Sequence, residues 1–258
     1  MDVVPLLGVT LALVALAMIL LWLLSILMGD VSIVDIAWGL GFVAIAWCAQ
    51  LCTQVNYPRG WLLTLLTTVW GLRLAGHLAH RNLGRGEDSR YRAMRNRHGP
   101  RFAVTSLYRV FLLQGVVMWL VAVPVVAGRY SSSELGIVDV LGIACWSAGL
   151  FFEAVGDWQL ASFKSRPESI GRVCDRGLWR YTRHPNYFGD SLIWWGLYLV
   201  AAAGGAWWTV FSPALMSVLL IRVSGVSLLE QTMRHRPGYQ EYIARTSAFF
   251  PRRPRRLS

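Results

Sequence analysis

The chain has 258 residues, 55% of them hydrophobic and 15% charged, with a mean hydropathy of +0.45. That balance excludes a soluble globular enzyme and predicts an all-α integral membrane protein. The formal charge of +11 does not imply a nucleic-acid partner, because the basic residues lie in loops between apolar runs and no soluble module carries them.

A helix crosses about 30 Å of hydrocarbon in about 20 residues. Seven runs reach that length: 5–28, 31–52, 61–81, 109–128, 136–156, 187–205 and 206–230. The first has no basic segment before it and no small-residue cleavage site, so it reads as a retained span. Gly204-Gly205 divides the last two, as a tight turn or as a re-entrant kink. The expected organisation is one seven-span domain over 1–258, with substrate-side helices in 1–81 and mainly cofactor-binding elements in 82–258.

Two early spans carry polar groups. Asp35 lies near the start of the second, and Arg73 and His77 lie one turn apart late in the third. An ionisable side chain at such depth is costly and is a functional candidate by default. The competing role is an ion pair of Asp35 with Arg73 or His77 that holds helices together.

The segments 82–108, 157–186 and the tail after Glu230 hold most of the Arg and Lys, whereas 53–60 and 129–135 hold only Arg59 and Arg129. The positive-inside rule puts the three basic segments in the cytoplasm, the N-terminus outside and the C-terminus inside. Basic residues are interleaved with specific polar partners, as in Gly86-Glu-Asp-Ser-Arg-Tyr91, which predicts a folded cytoplasmic loop cap over the cofactor site. The closing Arg252–Arg256 run is expected to anchor on lipid headgroups.

Glu153 and Asp157 share one face at the end of the fifth span, with Gln159 and Lys164 after them. Two carboxylates at a helix C-terminus oppose its dipole and call for compensation by ribose hydroxyls, an amide or an Arg. Next comes the densest polar cluster of the chain: Arg180, Tyr181, Arg183, His184, Asn186, Tyr187 and Asp190. Arg180 and Arg183 can fork onto phosphate oxygens. Pro185 suits a helix start whose N–H groups favour an anion, and Asn186 can donate and accept as a carboxamide requires. Later candidates are Arg222, expected to face the interior, then Glu230, His235 and Tyr239. There is no GxGxxG or Walker loop, so a nucleotide would be held outside those folds. Cys48, Cys52, Cys145 and Cys174 form no CxxC pair, and neither a metal site nor a disulfide is expected.

The elements Ser32–Gly39, Trp70-Gly-Leu-Arg73, Gly86–Tyr91, Glu153–Lys164, Gly177–Asp190 and Ser224–Pro251 resemble the steroid 5α-reductase superfamily, in its bacterial DUF1295 branch. The resemblance covers most of the chain. It implies a seven-span fold, a cytoplasm-facing NADPH site and reduction of a conjugated C=C bond. It also implies that Glu153, Asp157, Lys164, Asn186 and Asp190 contact the cofactor, with Asn186 at its nicotinamide end. Lys164 stands where the family often has Arg. In the eukaryotic enzymes a glutamate in the second span and a tyrosine in the third polarise the substrate carbonyl. Asp35 takes the glutamate's place, and the tyrosine's place falls near Arg73.

The expected reaction is hydride transfer to the β-carbon of an α,β-unsaturated ketone such as a 3-oxo-4-ene steroid, entering from the bilayer. Protonated Asp35, helped by Arg73 or His77, would bind the developing oxyanion. The alternatives are an S-adenosylmethionine-dependent membrane methyltransferase, which also carries Arg-His-Pro-x-Tyr with a later acidic residue and tyrosines, and a non-catalytic sterol-binding protein.

Overall fold

The computed structural model describes residues 2–223, 225–234 and 236–255. Ser224, His235 and Arg256, named in or beside the expected sites, lie outside the described residues. The described structure is helical, with one isolated bridge between Thr182 and Ser247.

The helices are α1 (Val3–Met28), α2 (Ile33–Cys52), α3 (Pro58–Asn82), α4 (Ser89–His98), α5 (Phe102–Ser106), α6 (Leu113–Ala127), α7 (Ile137–Lys164), α8 (Pro185–Ala203), α9 (Phe211–Val218), α10 (Val226–Met233) and α11 (Tyr239–Arg245). Among the described residues, five runs are long and apolar enough to cross a membrane: α1, α2, α3, the composite run Ser89–Tyr130, and α7. These five correspond to the first five of the seven runs expected from sequence. α8 forms where a sixth span was expected, but it is not among these five. The expected seventh is broken: a short apolar stretch ends in a π-helical turn at Leu219–Val223, and α10 starts again beyond it. The fourth run begins well before residue 109, because Asp88 caps α4 by accepting from the Arg90 N–H at 2.9 Å. Arg95, Arg97 and His98 in the last turn of α4 then suit its negative end.

The chain forms two compact units, Met1–Gly136 with Val200–Thr209, and Ile137–Leu199 with Val210–Ser258. The division after Gly136 puts α4–α6 in the same unit as the first three helices.

In the first unit α2 and α3 meet backbone to backbone. A Cβ on Gly39 would lie 2.3 Å from the Gly71 carbonyl oxygen, and one on Gly71 would lie 2.6 Å from that of Gly39. Helices in hydrocarbon gain little from burying apolar surface against each other, so close van der Waals contact through small residues holds them. Residues 200–209 complete this unit. Ala201 fills the space where a Cβ on Gly128 would go, and Gly204 backs onto the Gly128 carbonyl and the Arg59 stem. Gly204-Gly205 is a tight turn rather than a re-entrant kink: Gly205 takes φ +91 and the Ala206 N–H reaches back to the Ala201 carbonyl at 3.1 Å.

In the second unit α7 and α8 use the same device at heptad spacing. Gly142, Gly149 and Gly156 on α7 face Gly196, Gly189 and the Pro185-Asn186 start of α8. A Cβ on Gly189 would fall 2.4 Å from the Glu153 nitrogen. This seam sets α8's first turns beside Glu153 and Asp157.

Candidate functional site

Each unit contains a polar cluster that includes residues singled out by the sequence. In the second unit, the glycine seam brings together the two carboxylates of α7 and the amide of α8. The Asn186 Nδ2 donates to Asp157 Oδ1 at 3.0 Å, and Asn186 Oδ1 accepts from the Tyr187 N–H at 3.1 Å. An amide has two N–H bonds and two lone pairs, so the Asn186 nitrogen retains one N–H to donate and its oxygen one lone pair to accept with. Glu153, Asp157 and Asp190 are all buried. The approach to them is built by Trp179, whose Nε1 donates to the Gly156 carbonyl at 3.0 Å, and by Gln159, which accepts from the Leu178 N–H at 2.9 Å. Gly177 takes φ +60 there because the Gln159 side chain leaves no room for a Cβ.

Arg183 is committed inside the protein. Its Nε donates to Glu230 Oε1 at 2.7 Å, and its Nη1 donates to the carbonyls of Ile243 (3.2 Å) and Thr246. The His184 Nε2 lies 3.4 Å from the same Glu230 oxygen, and the His184 ring stacks on Tyr187 with centroids 5.5 Å apart. Burial on its own would raise the Glu230 carboxyl, but hydrogen bonds from His184 and Arg183 and the Arg183 charge hold it at about 2. Burial pushes the His184 imidazole below its ordinary value against the pull of Glu230, so the ring is neutral at pH 7. Neutral His184 with Nε2–H toward Glu230 is then a donor, and the pair is a fixed clamp. The clamp draws in the residues after α11: the Arg183 N–H donates to the Ser247 carbonyl at 2.9 Å, and Thr182 Oγ1 donates to that of Phe249 at 2.8 Å. Tyr242 donates to the Trp179 carbonyl, and Tyr239 is buried beside it. Arg183, His184, Glu230 and Tyr239, all expected on a cofactor, therefore meet one another around the segment that carries Asn186.

Arg180, Tyr181 and Lys164 are exposed and take no part in this clamp. Arg222 is also exposed, at the π-helical turn, contrary to its expected inward direction. A π turn shifts the register of the residues after it, so helical periodicity misplaces that side chain.

In the first unit Asp35 is paired, but with neither Arg73 nor His77. Its Oδ2 accepts from Arg90 Nη2 at 2.8 Å and its Oδ1 from the Tyr91 hydroxyl at 2.7 Å. Gln114 Nε2 in turn donates to the Tyr91 oxygen at 3.3 Å. The result is a directed chain, Gln114 to Tyr91 to Asp35, closed by Arg90. Both Asp35 oxygens thus receive a donor, one from Arg90 and one from the Tyr91 hydroxyl, so the hydroxyl that points within this cluster is that of Tyr91. Arg73 and His77 are half-buried in α3, one turn apart.

Sequence reasoning missed Arg90, Tyr91 and Gln114. The loop before α4 holds them in place. Glu87 accepts from Arg95 at 2.7 Å and from the Val31 N–H at 3.1 Å, and Ser32 Oγ accepts from the Asp88 N–H at 2.7 Å. Burial would raise the Glu87 carboxyl, but the Arg95 hydrogen bonds and charge and the Val31 N–H bring it below its ordinary value. The interleaving of basic and polar residues in Gly86–Tyr91 was a signal of folded structure; nothing in its spacing pointed to α2.

The family model described as "Protein of unknown function (DUF1295)" matches residues 21–246. The uncharacterized protein C594.04c of Schizosaccharomyces pombe (strain 972) is 25% identical over 219 residues, which cover 74% of this chain and 63% of that protein. The chain thus spans under two thirds of the curated relative's length. No solved structure matches.

Proposed function

The chain belongs to the DUF1295 family, and we propose that it is an NADPH-dependent membrane reductase acting on the C=C bond of an apolar α,β-unsaturated ketone. The observation that carries this is the chain from Gln114 through the Tyr91 hydroxyl to Asp35 and Arg90, set among membrane-spanning helices. Reduction of an enone needs an O–H donor where negative charge develops on the ketone oxygen, and donors fixed in a water-poor site favour that charge most. Asp35, held by Arg90, orients the Tyr91 phenol, and Gln114 donates to its oxygen. Turning the Tyr91 O–H from Asp35 to the substrate oxygen supplies the donor. The substrate class is a 3-oxo-4-ene steroid or a related polycyclic or isoprenoid enone reached from the bilayer.

The second unit's donor set fits a dinucleotide. Glu153 and Asp157 suit ribose hydroxyls, the remaining N–H and lone pair of Asn186 suit a carboxamide, and exposed Arg180 has no side-chain partner among the described residues and suits a phosphate. When bound, NADPH would supply the hydride. The same proposal puts the basic loops in the cytoplasm, the N-terminus outside and the protein in a bacterial inner membrane.

The methyltransferase alternative calls on the Glu230 carboxylate, which here is engaged by Arg183 and His184. Thermal shift of the detergent-purified chain with NADPH, NADH and S-adenosylmethionine, beside an Asn186→Ala variant, separates the readings. A shift with NADPH that the variant loses supports the reductase and directs a screen of enones. A shift with S-adenosylmethionine alone overturns it.

A further inference from the structure

We infer that the segment from Phe250 to Arg255 is a rigid platform for the headgroups of anionic phospholipid. A terminal run of arginines is often a loose tail, but this one is tied down. The Arg252 N–H donates to the Tyr181 carbonyl at 3.0 Å and the Arg255 N–H to the Arg245 carbonyl at 2.9 Å, while Thr182 holds the Phe249 carbonyl. The arm therefore lies along residues 180–183. That segment is fixed to α7 through Trp179 on Gly156 and Leu178 on Gln159, close to the end of a membrane-spanning helix.

The side chains presented there are cationic and aromatic. Arg252, Arg253 and Arg255 are exposed, and none of their side chains has a hydrogen-bond or ion-pair partner among the described residues. Phe250 is 59% exposed and Tyr181 42%. Aromatic rings settle at the headgroup level of a bilayer, and each Arg near an anionic surface strengthens binding there. An exposed ring between unpaired guanidinium groups at a helix end fits that surface.

The test titrates the full-length, detergent-purified chain with short-chain phosphatidylglycerol and phosphatidylcholine. It includes the triple variant Arg252→Ala/Arg253→Ala/Arg255→Ala, the matching triple lysine variant, and the single exposed change Arg253→Glu. The platform requires phosphatidylglycerol to bind at least about tenfold tighter than phosphatidylcholine. The alanine triple should weaken it by roughly a hundredfold and Arg253→Glu by at least about fivefold, while the lysine triple stays close to wild type. Equal binding of the two lipids overturns the inference, as does full phosphatidylglycerol binding by the alanine triple or by Arg253→Glu. One-for-one displacement of phosphatidylglycerol by NADPH or by inorganic phosphate overturns it too, since the arginines would then serve a soluble phosphate.

Discussion

Arg183 and Glu230 stand 47 residues apart in sequence and meet at 2.7 Å, with side-chain exposures of only 8% and 12%. Around this contact the segment before α8, helix α10 and the residues after α11 become one piece. A buried ion pair adds little net stability compared with an apolar pair of the same shape, yet losing one member leaves a buried charge alone. Arg183→Ala should therefore cost about 3–5 kcal/mol. Arg183→Met combined with Glu230→Leu should cost clearly less, as measured by thermal unfolding in detergent. Equal losses in the two variants would mean that the pair does not act as a clamp.

The same pair makes stability depend on pH. The folded-state Glu230 carboxyl sits at about 2, below its ordinary 4.5, so its contribution is complete above about 4.5 and lost as pH falls toward 2. His184 is likewise lowered by burial, so protonation favours the unfolded chain and stability also declines below about 6.5. The unfolding midpoint should be level above that value and fall below it. Glu230→Gln should flatten the part of the fall between about 4.5 and 2.

Glycines give a paired comparison. Gly39→Ala and Gly149→Ala each force a Cβ to within 2.6 Å of a facing carbonyl oxygen, and should destabilise by about 1–3 kcal/mol. Gly8→Ala in α1 and Gly76→Ala in α3 meet nothing within 4 Å, and should stabilise their helices by up to about 1 kcal/mol. The contrast in midpoint among the four variants tests whether the seams or simple helix propensity dominate.

For the proposed reaction, Tyr91→Phe removes the O–H donor while leaving the ring in place. Turnover of a responsive enone should fall by about 10²–10⁴ without loss of the NADPH thermal shift. Asp35→Asn should reduce turnover in the same manner, and Gln114→Ala less so. Unchanged turnover in Tyr91→Phe would remove the hydroxyl from the chemistry.

The apolar runs made the first three spans and α7 legible, because a continuous hydrophobic stretch of that length has few other uses. The density of polar groups from Arg180 to Asp190 marked the second unit's cluster, although not the roles inside it. Arg183 reads as a phosphate ligand in sequence because nothing there shows that Glu230 and two carbonyls will use up its Nε and Nη1. The pairing of Asp35 was illegible for a related reason. Arg90 and Tyr91 reach it through a loop fold governed by Glu87, Ser32 and Arg95, and such long-range partners leave no periodic trace. Arg222 failed differently: a local π turn rotates it away from the face that a regular helix predicts.

The first unit is not contiguous, since residues 200–209 pack on Gly128 and Arg59 after the chain has passed through 137–199. A ribosome delivers the chain in the opposite order to the one this packing needs. The first three helices and α6 must wait in the bilayer, with the Gly128 face uncovered, until α8 has been threaded. Membrane insertion is therefore a point of exposure for this protein. A chaperone or insertase contact at that face during synthesis would protect it, and a stall before residue 200 would leave an unfinished first unit.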